Sequence, residues 1–121
     1  QMATSLKKVT RSIGLELPTP ASYVWMMAHK QVTKLGLPLS ILTEQTQRDV
    51  MRYVSDRHKS MHGVQRRHLE DLAAAVVYRA CRQSPKTNIT TTQRDISAQV
   101  GVGPQAISKS YKAIRAFFKD L

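Results

Sequence analysis

The stretch TTQRDISAQVGVGPQAISKSYKAI, residues 91–114, predicts two helices joined by a tight glycine turn. Thr92 and Asp95 have the spacing of a capping box, which predicts that a short helix begins there. Gly101 follows that helix at a turn, where a positive φ is least costly for glycine, and Gly103-Pro104 has the pattern that begins a second helix. Apolar side chains around the turn are expected to pack the two helices together: Ile96, Val100, Val102 and Ile107.

Two helices packed in this way are typical of a helix-turn-helix, in which the start of the second helix enters the major groove of DNA. We expect the exposed positions at that start to contact bases: Gln105, Ala106, Ser108 and Lys109. Phosphates would be bound by cationic side chains and by the backbone N–H groups of residues 103–105; the side chains are Arg94, Lys112 and Arg115. The alternative is a helical corner that serves only packing.

Three further helices are predicted upstream, at about 20–35, from 40–43 to about 58, and at about 66–83. In the first, an apolar stripe at helical spacing is expected to face the core: Trp25, Ala28, Val32 and Leu35. The third is apolar almost all round between Leu72 and Cys81, which predicts a central helix surrounded by the others. No strand pattern competes, so the sequence predicts a single all-α, five-helix domain over residues 19–121, preceded by a basic leader or linker at 1–18.

The charge of the chain points to a polyanionic partner. Lys and Arg number 19 against 8 Asp and Glu, which gives a formal net charge of +11. Such a protein attracts nucleic acid, although charge can also serve solubility alone. Four further cations could extend the basic face or could be ordinary solvated surface: Arg57, Lys59, Arg66 and Arg67.

Several other classes of function find no support in the sequence. The longest apolar run, 72–78, is too short to cross a bilayer, so we expect no membrane partner. The chain has one cysteine, Cys81, and its histidines lack the usual zinc spacings; we interpret His58, His62 and His68 as surface residues. No nucleotide-binding glycine loop, catalytic triad or apolar carboxylate pair is present. We therefore expect no enzyme activity, no cofactor, no metal and no small-molecule substrate.

Two segments resemble the transcription factor IIB family and its archaeal and polymerase III relatives. Residues 73–83, AAAVVYRACRQ, are similar to the third helix of the cyclin-type repeat in that family, and residues 91–114 are similar to its last two helices. The resemblance implies a five-helix cyclin-like fold and promoter DNA binding beside the TATA-binding protein. It also implies recruitment of RNA polymerase, in the nucleus or, for an archaeal protein, in the cytoplasm.

The resemblance is not complete. Ser108 lies where some family members have a base-contacting arginine, which leaves the preferred DNA sequence open. Members normally carry a zinc ribbon and two repeats, so we expect this chain to be a fragment or a reduced member; either repeat fits, and the second fits slightly better. Two other functions stay open: a protein-binding cyclin-like module without DNA contact, and a small, dimeric helix-turn-helix regulator.

Overall fold

The computed structural model describes residues 19–84 and 91–119, so the leader predicted at 1–18 lies outside the described residues. Within the described ranges the chain forms five α-helices and a short 3₁₀ helix, with no strand. The bounds are α1 Pro20–Lys34, 3₁₀ Leu39–Ile41, α2 Glu44–Arg57, α3 Arg66–Gln83, α4 Gln93–Val100 and α5 Pro104–Phe118. The prediction of an all-α, five-helix, cyclin-like domain is confirmed.

Short-range chemistry explains where the helices begin. The side chains of Thr19 and Thr43 each accept a hydrogen bond from a backbone N–H of the following turn, at 3.1 Å in both cases. Such caps satisfy N–H groups that have no partner within the helix. Pro20 occupies the first turn of α1, where its missing N–H is harmless. Residues 39–41 form the separate 3₁₀ turn after Pro38, which is why α2 begins at Glu44 rather than nearer Ser40.

The third helix forms the centre of the domain, as the sequence predicts. It packs against α1 and α5, and it also contacts α2 and α4. Ala73, Ala74 and Ala75 are completely buried, and their small side chains let the neighbouring helices approach closely. Its other buried apolar residues are Leu69, Leu72, Val76, Val77, Ala80 and Cys81.

Two details differ from the sequence-based expectation. The buried stripe of α1 consists of Ala21, Val24, Ala28 and Val32, whereas Trp25 and Leu35 are only partly buried. The central helix also carries one buried charge, because Arg79 is 7% exposed and forms an ion pair with Asp49 of α2.

Within the described ranges, none of the helices has the length and apolarity that a membrane span requires.

Candidate nucleic-acid interface

The fourth helix is fixed at both ends by its own sequence. At its start, Thr92 N–H donates to the Asp95 carboxylate at 2.8 Å, and Asp95 N–H donates to the Thr92 hydroxyl at 3.2 Å. The backbone hydrogen bond from Thr92 is the main reason why the pKa of Asp95 is lowered from its ordinary value. At its end, Gly101 has a φ of 76°, in the left-handed region predicted for it, and donates to the Ser97 carbonyl at 3.0 Å. This helix is therefore a well-defined support for the next one.

The turn between α4 and α5 is closed by apolar contacts. Ile96 and Ile107 are completely buried, Val102 is 7% exposed and Val100 is partly buried. These residues join the two helices to each other and to the core, as the sequence predicts. The start of α5 is fixed in position because Ile96 of the neighbouring helix α4 and Ile107, the first buried residue of α5, both belong to the core.

The start of α5 offers backbone N–H donors that no side chain of the described residues caps. Gly103 precedes the helix without a side-chain cap, Pro104 occupies its first turn, and that turn contains no acidic residue. The N–H groups of a helix start favour anions through hydrogen bonding and through the helix dipole. This end of α5 can therefore bind a phosphate group together with neighbouring cationic side chains.

Six of the seven predicted site residues lie on α5. Gln105, Lys109, Lys112 and Arg115 are exposed. Ala106 and Ser108 are partly buried, Ala106 by packing against the core, so the expectation that all four base-contacting positions are exposed is wrong for these two. Positions 105, 109 and 112 are separated by four and three residues, so they share one helical face. The seventh site residue, Arg94, is exposed in the first turn of α4.

This part of the chain is strongly basic. Residues 91–119 contain five cationic side chains and a single carboxylate; the cations are Arg94, Lys109, Lys112, Arg115 and Lys119. The carboxylate is that of Asp95, which is occupied by the helix cap. The surface that α4 and α5 present is therefore suited to a polyanion.

The family of the chain follows from comparison with known proteins. A family model described as "Transcription factor TFIIB repeat" matches residues 15–116. This chain belongs to the TFIIB repeat family. The match spans α1 to α4 entirely and ends in the last turn of α5, and it indicates a transcription factor. Searches of curated proteins and of solved structures found no match.

Of the four further cations considered in the sequence of this TFIIB repeat, Arg57 is located by its aromatic contacts. Arg57 lies over the ring of Tyr53 at 4.6 Å, and that ring is 5.2 Å from the ring of Phe117 in the last turn of α5. Arg57 is therefore near the end of α5 and not near its start. Lys59, Arg66 and Arg67 are exposed, in the α2–α3 connection and the first turn of α3.

The histidines of the repeat do not form a recognisable metal centre. His62 and His68 are exposed as expected, whereas His58 is partly buried, with a buried Nε2 atom. The rings of His58 and His68 lie 5.5 Å apart, edge to face, and burial is the main cause that lowers the pKa of His58. Burial raises the pKa of the Cys81 thiol to about 11, so this thiol is protonated and unreactive at neutral pH. Across residues 19–84 and 91–119, no group of three or more potential ligands is placed to hold a metal ion.

Proposed function

We propose that this TFIIB repeat binds promoter DNA, with α4 and α5 acting as a helix-turn-helix. The observation that carries the proposal is the exposed face of α5 with Gln105, Lys109 and Lys112. The buried residues Ile96 and Ile107 join α4 and α5 to the core beneath it. In a major groove, Gln105 can pair with adenine and Lys109 with guanine, and Ala106 can contact a thymine methyl group. Ser108 lies between Ala106 and Lys109 along α5, and its hydroxyl can form a hydrogen bond with either a donor or an acceptor group of a base.

Phosphate binding accompanies these base contacts in the proposed complex. Lys112 and Arg115 follow Ser108 along α5, and Arg94 stands at the start of the supporting helix. Side chains of this kind fix the register of a protein on the duplex and supply most of its salt-dependent affinity. The N–H groups at the start of α5 would add a further phosphate contact.

The partners follow from the family. We propose that the repeat assembles on promoters with the TATA-binding protein and RNA polymerase, within a preinitiation complex. The protein would then act in the nucleus, or in the cytoplasm if its source is archaeal, without catalysing a reaction. Family membership favours this role over a small, dimeric regulator, which would require a palindromic site and a dimer interface.

The DNA-binding role is tested by fluorescence anisotropy with a labelled promoter duplex at several salt concentrations. Log affinity should fall linearly with log salt, by about 0.9 for each phosphate neutralised. The double variant Lys109→Ala/Arg115→Ala should bind several-fold more weakly and with a shallower slope. The control Lys34→Ala/Arg48→Ala removes the same charge from exposed positions on α1 and α2 and should bind like the unmodified protein.

Three outcomes would count against the proposal. Equal losses in the two double variants would show that only net charge matters. Absence of saturable binding, together with DNA-independent capture by the TATA-binding protein, would favour a protein-binding module. A dimeric mass in solution with a preference for palindromic DNA would favour a small regulator.

A further inference from the structure

Two tyrosine–arginine pairs with the same spacing meet between α3 and α5. Tyr78 and Arg82 are four residues apart on α3, and Tyr111 and Arg115 are four apart on α5. The rings of Tyr78 and Tyr111 pack edge to face, with centroids 4.8 Å apart and an interplanar angle of 82°. This is a favourable geometry for an aromatic pair, and it links the central helix to the proposed DNA-binding helix.

Each tyrosine ring also holds a guanidinium group. Arg82 lies over the Tyr78 ring at 5.8 Å, and Arg115 lies over the Tyr111 ring at 5.7 Å. Both distances are within the range in which a cation is attracted to an aromatic face. We name the four side chains Tyr78, Arg82, Tyr111 and Arg115 the Tyr–Arg cluster.

Arg82 is influenced electrostatically by both tyrosines. Hydrogen bonding to the Tyr78 hydroxyl is the largest of the effects that raise its pKa, and Tyr111 acts in the same direction. A guanidinium has five N–H donors, and Arg82 takes part in no ion pair among the described residues, so donors remain for a further ligand. Arg82 is exposed, and its guanidinium lies over the ring of Tyr78, which packs against Tyr111 of α5.

Among residues 19–84 and 91–119, no carboxylate forms an ion pair with either guanidinium group of the cluster. The ion pairs in the described part of the chain join Arg48 to Glu44 and Arg79 to Asp49, and neither Arg82 nor Arg115 takes part in one. Exposed arginines whose guanidinium groups already lie over tyrosine rings lose less conformational freedom when they bind an anion. Phosphate is the polyanion group that fits this donor set.

We propose that Arg82 binds a phosphate of the DNA backbone, so that the DNA-binding surface extends from α5 onto the central helix α3. The inference rests on the proposed function and adds a residue outside the helix-turn-helix. In the proposed complex, Arg82 and Arg115 each bind a phosphate of the same duplex. Tyr111 is a positioning residue: its ring carries Arg115, and its hydroxyl orients Arg82.

The test measures the salt dependence of DNA affinity with the full chain. Arg82→Ala should flatten the slope of log affinity against log salt by about 0.9. The ratio of unmodified to variant affinity should therefore shrink about threefold between 50 and 200 mM salt. Arg82→Lys should retain the slope and lose part of the affinity, because it keeps the charge without the planar fork. Arg48→Ala is the matched control, since its side chain is 65% exposed on α2.

Tyr111→Phe separates positioning from packing. It keeps the ring, and with it the contacts to Tyr78 and Arg115, and removes only the hydroxyl beside Arg82. It should weaken binding less than Arg82→Ala does and should have no further effect in the Arg82→Ala background. Additive effects of the two substitutions would overturn the positioning role. Circular dichroism should show an unchanged helix content for every variant.

Different results would contradict the Arg82 phosphate site and the DNA-binding role of the helix-turn-helix. If Arg82→Ala matches Arg48→Ala in slope and affinity while Lys109→Ala/Arg115→Ala binds weakly, the Arg82 site is wrong and the helix-turn-helix function stands. If no variant on α3 or α5 differs from the controls, the proposed function itself is wrong.

Discussion

Arg79 Nη1 lies 3.0 Å from Asp49 Oδ2 and joins the central helix α3 to α2 through a largely buried ion pair. The side chains are 8% and 16% exposed, respectively, and the Arg79 guanidinium also lies over the Phe118 ring of α5 at 4.8 Å. One charged side chain thus contacts residues of two neighbouring helices. The position of α5 on the core therefore depends partly on this ion pair.

Asp49→Asn should destabilise the fold strongly. The substitution removes the carboxylate that faces a buried guanidinium, and the loss of one member of such a pair costs about 3 kcal/mol of unfolding free energy. Urea denaturation followed by circular dichroism measures the change. The control Asp56→Asn alters an exposed carboxylate on the same helix and should change stability by less than about 0.5 kcal/mol. Equal stabilities of the two variants would contradict the structural role of the pair.

Ala74→Leu tests the close packing of the central helix. Ala74 is completely buried, so a larger side chain should force neighbouring helices apart at a cost of about 1–3 kcal/mol. Ala98 is exposed on α4, and Ala98→Leu introduces the same atoms without that cost. Thermal and urea denaturation of the two variants should differ clearly; a neutral Ala74→Leu would mean that α3 is not enclosed as described.

The left-handed turn at Gly101 predicts a matched pair of glycine substitutions. Gly101 has a φ of 76°, whereas Gly103 has a φ of −62°, and a Cβ at either position would meet no atom within 4 Å. Gly101→Ala should therefore cost about 1–2 kcal/mol through backbone strain alone, and Gly103→Ala should be nearly neutral. DNA affinity should fall for the first variant only, because the strained turn changes how α5 is presented. Equal effects in denaturation and DNA binding would contradict this turn geometry.

The pair of His58 and His68 predicts a loss of stability in mild acid. Burial, His68 and Arg57 all lower the pKa of His58 below 6.5 in the folded chain. The unfolded chain therefore binds the proton more readily, and the stability from neutral His58 is complete above pH 6.5 and is lost as the pH falls. Urea midpoints at pH 7 and pH 5 should differ less in His58→Gln than in the unmodified protein, while exposed His62→Gln keeps the full difference. An unchanged pH dependence in His58→Gln would contradict the assignment of the acid-sensitive loss of stability to His58.

Sequence patterns predict the features of this fold that depend on neighbouring residues along the chain. The capping box at Thr92, the positive φ at Gly101 and the bounds of α3 all follow from local rules. The apolar stripe of α1 was misplaced because Trp25 continues the helical period as well as Val24 does, and only the positions of α2, α3 and α4 decide which of them is enclosed. Element type was therefore predictable, while the orientation of a helix about its axis was less so.

The side-chain contacts between different helices could not be predicted from the sequence. Arg79 lies within an apolar run that gives no indication of an ion pair, and its partner Asp49 is thirty positions away on another helix. The Tyr–Arg cluster left a signal, since Tyr78/Arg82 and Tyr111/Arg115 repeat one spacing, but only the packing of α3 on α5 brings the two rings together. The site residues on α5 could be predicted from the sequence because they belong to a local motif. Their DNA contacts stay a proposal.

The most direct test of the central claim, that the start of α5 faces DNA, is a titration of ¹⁵N-labelled protein with a promoter duplex, followed by amide NMR shifts. Shift changes should concentrate at residues 103–115 and at the first turn of α4, with the exposed face of α2 almost unchanged. Changes confined to α1 and α2, or saturation of binding without any change between 103 and 115, would contradict the account.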